Sequence, residues 1–237
     1  MDDKPKHNFA LGSRRTAKDL AYERLRQIII DGALLPDQRV TELSLADHLQ
    51  ISRTPLRQAL QHLESEGWIR RTSTGAIRIG GVSENDIDDL YTVRSSLEVQ
   101  ALRQASLNAV EQDLVSVRAI LAEQAQAIEA DDLSSAADIG ERFHHFIWEL
   151  SRNHICIEFL EIIYDRTKRY RRLAFDQHSN TRQGAVEHAK IFDFFAGGDI
   201  NSAERCLIEH IAQSRKIVRA AFQQWSENEE NSAPVSK

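Results

Sequence analysis

The chain has 237 residues, of which 41% are hydrophobic, and it carries a formal net charge of −6. This length allows two modest domains with cores of their own, and the acidic balance argues against a protein that coats nucleic acid along its whole surface. No apolar run approaches the roughly 20 residues of a membrane span. Because residues 1–18 are polar and lack the apolar segment of a secretory signal, we expect a cytoplasmic protein with no membrane partner.

Charge is distributed unevenly along the sequence. Residues 1–80 contain 13 Lys and Arg against 10 Asp and Glu, a charge of +3, and residues 81–237 carry −9. A mildly basic front and an acidic back are typical of a DNA-binding domain joined to a domain that does not contact DNA. The two cysteines, Cys156 and Cys206, lie far apart in helical patterns, so we expect small core residues rather than a disulfide.

The first part of the chain predicts an arm, a helix and a turn. Residues 1–15 are expected to form a disordered arm. Thr16 can cap a helix that runs to about Asp31, with its aliphatic residues facing inward. Pro36 and Asp37 then supply the chemistry of a turn.

Residues 42–67 predict two short helices joined by a tight corner, each with an apolar stripe at spacings of three and four residues. Ser52 is a suitable N-cap for the second helix, and Pro55 lies in its first turn, where a missing N–H costs nothing. This helix then opens with two cations and a hydroxyl, contributed by Arg53, Thr54 and Arg57. Such an opening is typical of a DNA recognition helix, in which arginines contact guanine and the Ser52 and Thr54 hydroxyls reach phosphates.

Two predicted strands complete the first domain. Residues 68–71 and 76–79 have strand character, and residues 72–75 form the turn between them. Three helices and a β-hairpin are the layout of a winged helix-turn-helix, which we assign to residues 16–80. The wing is rich in arginine, and Gly75 at its tip would let the backbone approach a DNA groove closely.

Residues 83–225 predict a second domain that is entirely helical. The predicted helices cover about residues 83–106, 111–130, 132–151, 155–176, 182–196 and 200–225. Short connections between them favour an antiparallel bundle of six or seven helices, which makes the whole chain mainly α. The polar tail, residues 226–237, is expected to be disordered.

Two sets of residues carry a family resemblance. The first contains the specific run Ser52-Arg53-Thr54-Pro55-Leu56-Arg57 in the predicted helix-turn-helix. The second lies in the bundle and comprises Leu90-Tyr91, Arg94, Leu97-Glu98, Phe143-His144, Asn153, Glu187-His188, Gly198-Asp199, Ala203 and His210. The first set resembles the GntR family of transcription factors, and the second resembles the ligand-binding FCD domain of its FadR subfamily.

The resemblance implies a homodimeric bacterial regulator, associated with the nucleoid, that binds a pseudo-palindromic operator in double-stranded DNA. We expect a repressor whose DNA affinity changes when a small organic acid binds through a carboxylate in the helical domain. In relatives, the positions of Arg53, Thr54 and Arg57 contact bases and phosphates. The positions of Thr74 and Gly75 enter the minor groove.

Three positions depart from the family pattern. Asp37 stands where the usual turn is Pro-Gly, and Gln58 replaces the glutamate of the usual Arg-Glu-Ala-Leu. Leu43 follows Glu42, where some members carry an arginine that contacts DNA. We therefore expect that DNA contact to be missing, and an internal ion pair at Gln58 to be weaker.

Three of the nine histidines, His144, His188 and His210, are predicted on different helices of the bundle. Imidazoles brought together in a bundle core are good ligands for Zn²⁺ or Ni²⁺. In the metal-binding FCD group these positions are joined by an aspartate one turn before the first histidine, where a residue shares its helix face. Here that position is Gly140, and Glu141 is a possible fourth ligand in its place.

This ligand set leaves three alternatives open. In the first, the three histidines bind an ion, and Glu141 or water completes the site. In the second, the site is weak and fills only when the effector is bound. In the third, the histidines line a polar pocket that holds no metal.

Arg94 is a candidate for binding the effector. It lies on an otherwise apolar helix face, and a buried arginine needs an acceptor. Either an effector carboxylate held in a bidentate fork or an internal ion pair with Glu98, four residues on, would satisfy it. Further candidates for binding the effector come from two sources. The resemblance suggests Asn153, and a basic run on the fourth bundle helix offers Arg169 and Arg172.

Two other functions remain open from the sequence. A metal-dependent enzyme also uses histidines in a helical bundle, but the pair Glu141 and His144 occurs once, whereas di-iron bundles repeat it on two helices. Such an enzyme would also leave residues 16–80 without a purpose, so we expect no catalytic residues. A DNA-binding dimer insensitive to ligands is the other alternative, and a filled, apolar pocket would favour it.

Overall fold

The structure, a computed structural model, describes residues 16–173 and 180–232. The chain divides into two compact units at Gly81–Val82, with Ile30–Ala33 grouped with the second. The arm predicted at residues 1–15 lies outside the described part of the chain. None of the described helices is long and apolar enough to cross a membrane.

The first unit is a helix-turn-helix with a small sheet. Its elements are α1 (Ala17–Ile30), β1 (Arg39–Val40), α2 (Glu42–Leu49), α3 (Arg53–Ser65), β2 (Ile69–Arg71) and β3 (Ile77–Ile79). The strands form an antiparallel sheet in the order β1-β3-β2, in which Arg70 lies opposite Arg78 in the wing. The sequence did not predict β1, because a strand of two residues is too short to show a period.

The corner between α2 and α3 follows from local hydrogen bonds. Thr41 and Ser44 form a capping box at the start of α2, in which the Ser44 N–H donates to Thr41 Oγ1 at 3.0 Å. Gln50 ends α2 in the left-handed conformation, with φ of 54°. Ser52 takes the predicted N-cap position of α3, but within the described structure its hydroxyl makes no capping hydrogen bond.

The apolar stripes predicted for α2 and α3 are buried except at Leu43, which is exposed, and they orient α3. The buried residues of these two helices are Leu45, Ala46, Leu49, Leu56, Ala59, Leu60 and Leu63. At the end of α3 the Tyr22 hydroxyl donates to the Glu66 carboxylate at 2.8 Å, and the Tyr22 and His62 rings stack at 4.4 Å. These contacts fix the far end of α3 against α1 and leave its first turn exposed.

The second unit is entirely helical over the residues that the structure describes, as predicted. Its six described helices are α4 (Glu84–Asn108), α5 (Glu111–Glu129), α6 (Leu133–Leu150), α7 (His154–Leu173), α8 (Thr181–Ala196) and α9 (Ile200–Ser232). The last helix runs seven residues beyond the predicted end at 225, into the segment expected to be disordered. No glycine or proline interrupts residues 226–232, and Pro234 follows only two residues later, so the sequence contains no earlier stop signal.

Among the described residues, the bundle core contains two apolar clusters and a set of buried polar residues. The larger cluster includes Tyr91, Phe143, Ile147, Phe192, Leu207 and Phe222, and the smaller is built on Trp148, Leu160 and Tyr164. Cys156 and Cys206 are both free, in agreement with the expectation of no disulfide. Against this apolar background the buried polar residues stand out, and they include Arg94, Glu98, Gln124, His144, His188 and His210.

Candidate functional site

Three histidines converge in the core of the second unit. His144 on α6, His188 on α8 and His210 on α9 each offer one ring nitrogen, and these three atoms lie within 4.8 Å of one another. All three side chains are buried. The shortest separation joins His144 Nε2 to His188 Nε2 at 3.2 Å. The structure thus brings together the histidines that the sequence singled out, and we call them the histidine triad.

Each ring of the histidine triad has a hydrogen-bond partner on its other nitrogen. The Nδ1 contacts are His144 to Glu98 Oε2 at 2.8 Å, His188 to Gln124 Oε1 at 3.1 Å and His210 to Glu187 Oε2 at 2.7 Å. Because these oxygens accept, each neutral ring carries its proton on Nδ1 and a lone pair on Nε2. Oxygen partners of this kind orient histidines that bind metals.

The protonation of the histidine triad suits a cation. Burial lowers the pKa of His144 to about 4, although Glu98 opposes this shift, and burial also lowers the pKa of His188 well below its ordinary value. Neutral imidazole is the form that binds a metal. The Nε2 lone pairs of neutral His144 and His188 repel at their close separation unless a cation lies between them. The donor set therefore fits a divalent ion such as Zn²⁺ or Ni²⁺.

Arg94 and Glu98 form a buried ion pair behind the triad. Arg94 Nε donates to Glu98 Oε1 at 2.6 Å, and both residues are only 2% exposed. Burial alone would raise the pKa of Glu98, but Arg94 and His144 hold this pKa well below its usual range. The ion pair expected from the sequence is present, and it leaves Arg94 Nη1 buried without a hydrogen-bond partner among the described residues.

Glu141, the possible fourth ligand, pairs with other residues. Its carboxylate accepts from Lys168 Nζ at 2.9 Å and from Arg171 Nη2 at 3.1 Å. It lines the same cavity as the histidine triad, but its oxygens are not among the atoms that converge there. The two cations, which lie one helix away on α7, hold the carboxylate away from the ring nitrogens.

Gly140 leaves space for Gln124, a residue that no sequence pattern singled out. A Cβ atom at this position would lie 2.6 Å from Gln124 Nε2 and 3.0 Å from His188 Cε1. Gln124 is fixed in place, because its Nε2 donates to the Ala136 carbonyl at 2.9 Å. The glutamine amide therefore occupies the space next to the triad that a side chain at 140 would need.

A cavity of about 120 Å³ opens beside the triad. One water molecule needs roughly 10–15 Å³ on the same measure, so the cavity has room for about ten non-hydrogen atoms. Charged and polar side chains form much of its lining, among them Arg94, Asp138, Glu141, Lys168, Arg171, Arg172 and Ser214. The cavity is therefore open rather than filled, and these charged groups line it together with a larger share of apolar surface.

Two predicted effector residues do not line this cavity within the described part of the chain. Asn153 caps α7 instead, because its Oδ1 accepts from the Cys156 N–H at 3.0 Å and its Nδ2 donates to Gln104 at 3.0 Å. Arg169 is buried on α7 but is not a lining residue. Arg172, by contrast, does line the cavity.

The first turn of α3 exposes the residues expected to contact DNA. Ser52, Arg53, Thr54 and Arg57 are all exposed. Arg57 Nε donates to Glu42 Oε2 at 2.7 Å, which aligns the guanidinium while its side chain remains 62% exposed. The structure thus presents two cations and two hydroxyls together on one end of a helix.

The wing carries fewer free cations than its sequence suggests. Arg70 pairs with the Asp37 carboxylate, Arg78 Nη1 donates to the Asp37 carbonyl at 2.7 Å, and Arg71 pairs with Glu64 at 3.1 Å. Asp37 adopts a left-handed backbone with φ of 59°, the conformation that glycine would take in the usual turn. Charge on the wing is therefore partly neutralised within the unit.

The tip of the wing is exposed, as expected for a minor-groove contact. Thr74 and Gly75 are both exposed, and Gly75 has φ of 78°, a left-handed conformation that favours glycine. The Gly75 N–H donates to the Thr72 carbonyl at 2.8 Å, which closes the turn.

Comparisons with known proteins place both units. A model of bacterial regulatory proteins of the gntR family matches residues 17–79, and a model of the FCD domain matches residues 89–213. The Nta operon transcriptional regulator of Aminobacter aminovorans is 32% identical over 150 residues, covering 60% of this chain and 71% of that protein. The HTH-type transcriptional repressor RspR of Escherichia coli is 22% identical over 206 residues, covering 87% of this chain and 90% of that protein.

Solved structures show the same fold. The structure described as E. coli McbR/YncC matches with a TM-score of 0.72 and 24% identity, covering 89% of this chain and 99% of that one. The two family matches confirm the resemblance on which the sequence analysis relied, and the matched proteins are regulators rather than enzymes. The chain therefore belongs to the GntR family of bacterial transcriptional regulators, with a helix-turn-helix domain that binds DNA and a helical FCD domain.

Proposed function

We propose that the protein is a repressor that binds operator DNA as a homodimer and is controlled by a small acid bound next to a metal ion at the histidine triad. The observation that carries this proposal is the cavity that combines three convergent imidazoles with the buried Nη1 of Arg94, which has no hydrogen-bond partner among the described residues. The similarity to RspR, a transcriptional repressor, supports the sign of regulation. An open cavity with charged side chains in its lining also argues against a regulator insensitive to ligands.

We assign the contacts that recognise DNA to the N-terminal end of α3 and to the tip of the wing. Arg53 and Arg57 would contact guanine edges in the major groove, because a guanidinium matches the two acceptors of guanine. The Ser52 and Thr54 hydroxyls would reach phosphates. Thr74 and Gly75 would enter the adjacent minor groove, where an exposed glycine allows a close approach.

The Nε2 atoms of the histidine triad would hold the metal ion, with Zn²⁺ or Ni²⁺ as the candidates. A bound ion would supply a centre of positive charge for an oxygen ligand. Arg94 Nη1, which is buried without a partner, would donate to an effector carboxylate, and Arg172 would add a second cation to the same cavity. We therefore infer a compact carboxylic acid as the effector class.

We infer that the dimer forms through an exposed apolar stripe on α7. Ile155, Phe159 and Ile162 are 64%, 54% and 43% exposed, and their spacing of four and three residues places them on one helix face. A helix of a soluble protein buries such a stripe against a partner. A two-fold dimer of this kind presents two copies of α3, which accounts for a pseudo-palindromic operator.

Selection of bound sequences from a random double-stranded DNA library tests the function. We expect the full-length protein to enrich two inverted half-sites separated by a fixed spacing, about one helical turn of DNA or a multiple of it. The Arg57→Ala variant, run in parallel, should enrich the same half-sites more weakly and with a relaxed preference at one base of each. Enrichment of no motif by the wild-type protein would refute the proposal.

A further inference from the structure

We propose that Gly140 and Gln124 together deny the histidine triad an anionic protein ligand, so that the site holds a divalent ion firmly only when a small anion binds beside it. This inference rests on the metal site in the proposed function and adds a coupling between ion and anion. It makes Gln124 a positioning residue, which acts through the space that it fills and through His188.

Steric crowding keeps a side chain at position 140 away from the histidine triad. Residue 140 lies one turn before His144 on α6, so it shares the helix face that meets the other two histidines. A Cβ there would meet Gln124 Nε2 at 2.6 Å, closer than real Cβ contacts come. Gln124 is 2% exposed and is held at both ends of its amide, by the Ala136 carbonyl and by His188 Nδ1. It has no easy way to move aside for a larger residue.

The other carboxylates near the triad do not join its convergent nitrogens within the described residues. Glu98 and Glu187 accept from Nδ1 atoms, on the sides of the rings that face away from the convergent nitrogens. Glu141 is paired with Lys168 and Arg171. Asp138 lines the cavity, but the atoms that converge within the described residues are three histidine nitrogens alone. The available protein ligands are therefore all neutral.

A divalent ion held by three neutral ligands keeps its full charge in a buried site, and burying a charge without compensation is costly. Arg94 and Arg171 lie along the same cavity, where Glu98 and Glu141 pair with them. A small anion next to the ion would supply the negative ligand that the three histidines lack, and it would find the unpartnered Nη1 of Arg94. Binding of ion and anion should therefore be mutually reinforcing, as linkage requires.

The experiment measures zinc affinity on full-length, demetallated protein. Zinc is titrated in competition with a chromophoric chelator, in chloride buffer and in the same buffer containing saturating acetate. For the wild-type protein we expect acetate to tighten zinc binding by at least about fivefold, the lower end of usual coupling between two ligands. The readout is the ratio of zinc affinity with acetate to zinc affinity without acetate. A ratio is needed because loss of Gln124 alone lowers zinc affinity in both buffers, through His188, by about 10- to 100-fold.

Two double variants supply the matched comparison. Gln124→Ala with Gly140→Asp makes room for a carboxylate on the triad face, so the acetate effect should disappear. Gln124→Ala with Gly140→Asn removes the same glutamine and adds a neutral isostere, so the acetate effect should persist. Circular dichroism establishes that both variants fold.

Three results would overturn the inference. Equal zinc affinity of the wild-type protein in the two buffers would do so without reference to any variant. An undiminished acetate effect in the aspartate variant would remove the role of Gly140 and Gln124. Failure of the wild-type protein to bind zinc in either buffer would refute the metal site itself, whereas selection of operator DNA would remain as evidence for the regulator.

Discussion

His144 Nε2 lies 3.2 Å from His188 Nε2, and each ring uses its Nδ1 to contact an oxygen acceptor. The two facing nitrogens are therefore both lone-pair donors in the neutral state, and a third, on His210, joins them. Three such nitrogens in a buried site form a ligand set for a cation. The second unit thus combines a ligand set with a cavity of about 120 Å³ that is open to a small molecule.

The metal site predicts that His188→Ala binds less zinc. Removing one of three nitrogen ligands should lower the zinc content after equilibration and dialysis from about one ion per chain to well below one. Elemental analysis measures this content. His145→Ala is the matched control, because His145 is the next residue after His144 but pairs with Glu161 instead of joining the triad. Equal zinc content in His188→Ala and wild-type protein would refute the site.

The DNA surface predicts that Arg57→Ala weakens operator binding. A lost bidentate contact to guanine should cost roughly 1–3 kcal/mol and relax the preference at one base of each half-site. Fluorescence anisotropy on the selected operator measures the loss. Arg142→Ala removes an exposed arginine from α6 and so lowers the net charge by the same single unit as Arg57→Ala, but it should bind as the wild type does. Unchanged affinity of the Arg57 variant would remove α3 from its role as the recognition helix.

The effector site predicts that Arg94→Ala abolishes stabilisation by small acids. In the presence of zinc, malonate should raise the melting temperature of the wild-type protein but not that of the variant. The variant should also be less stable without ligand, because removing one partner of a buried ion pair usually costs about 3–5 kcal/mol. His144 still contacts Glu98 in the variant, so we expect the loss to be at the lower end.

Arg103→Ala is the control for this experiment, since Arg103 also lies on α4 but pairs with Glu204 outside the cavity. Differential scanning fluorimetry on the three proteins gives both the intrinsic stability and the shift. A full malonate shift in the Arg94 variant would show that its guanidinium does not bind the acid.

The apolar stripe on α7 predicts that Phe159→Glu dissociates the dimer. Burial of a phenylalanine contributes about 1.5–3 kcal/mol, and a two-fold interface loses it twice. The dissociation constant should therefore rise by at least about a hundredfold. Light scattering after size-exclusion chromatography measures the mass over a dilution series. Val186→Glu, a comparably exposed residue on α8, should stay dimeric, and a dimeric Phe159 variant would place the interface elsewhere.

Local patterns were enough to predict the helices, whereas the meeting of the three histidines was expected from the family resemblance. Apolar spacing identified the buried stripes of α2 and α3, and the i, i+4 relation identified the Arg94–Glu98 ion pair. These features depend on neighbours along one helix, which sequence spacing records directly. The extension of α9 to Ser232 shows the limit of prediction from local patterns. A polar segment without a stop signal is compatible with either a disordered tail or a helix.

Features that depend on contacts between distant elements were not predicted. Gln124 is an unremarkable residue of α5, and only the approach of α6 and α8 places its amide against Gly140 and His188. Glu141 was a possible metal ligand because it lies three residues before His144 on the same helix. Lys168 and Arg171 of α7 instead hold its carboxylate. The sequence suggests that Arg70 is a free cation of the wing, but the fold brings it next to Asp37, which lies 33 residues earlier.

If the histidine triad controls DNA binding, ligands of the triad must change the affinity for the operator, and a single titration shows this. Fluorescence anisotropy gives the operator affinity of wild-type and His188→Ala protein, each demetallated and each with zinc plus a panel of small carboxylic acids. We expect at least one acid to change the wild-type affinity by roughly 5- to 150-fold, the usual range of coupling between two sites, and to leave the variant unaffected. Identical operator affinity of the wild-type protein in all conditions, or an equal response of His188→Ala, would contradict the account.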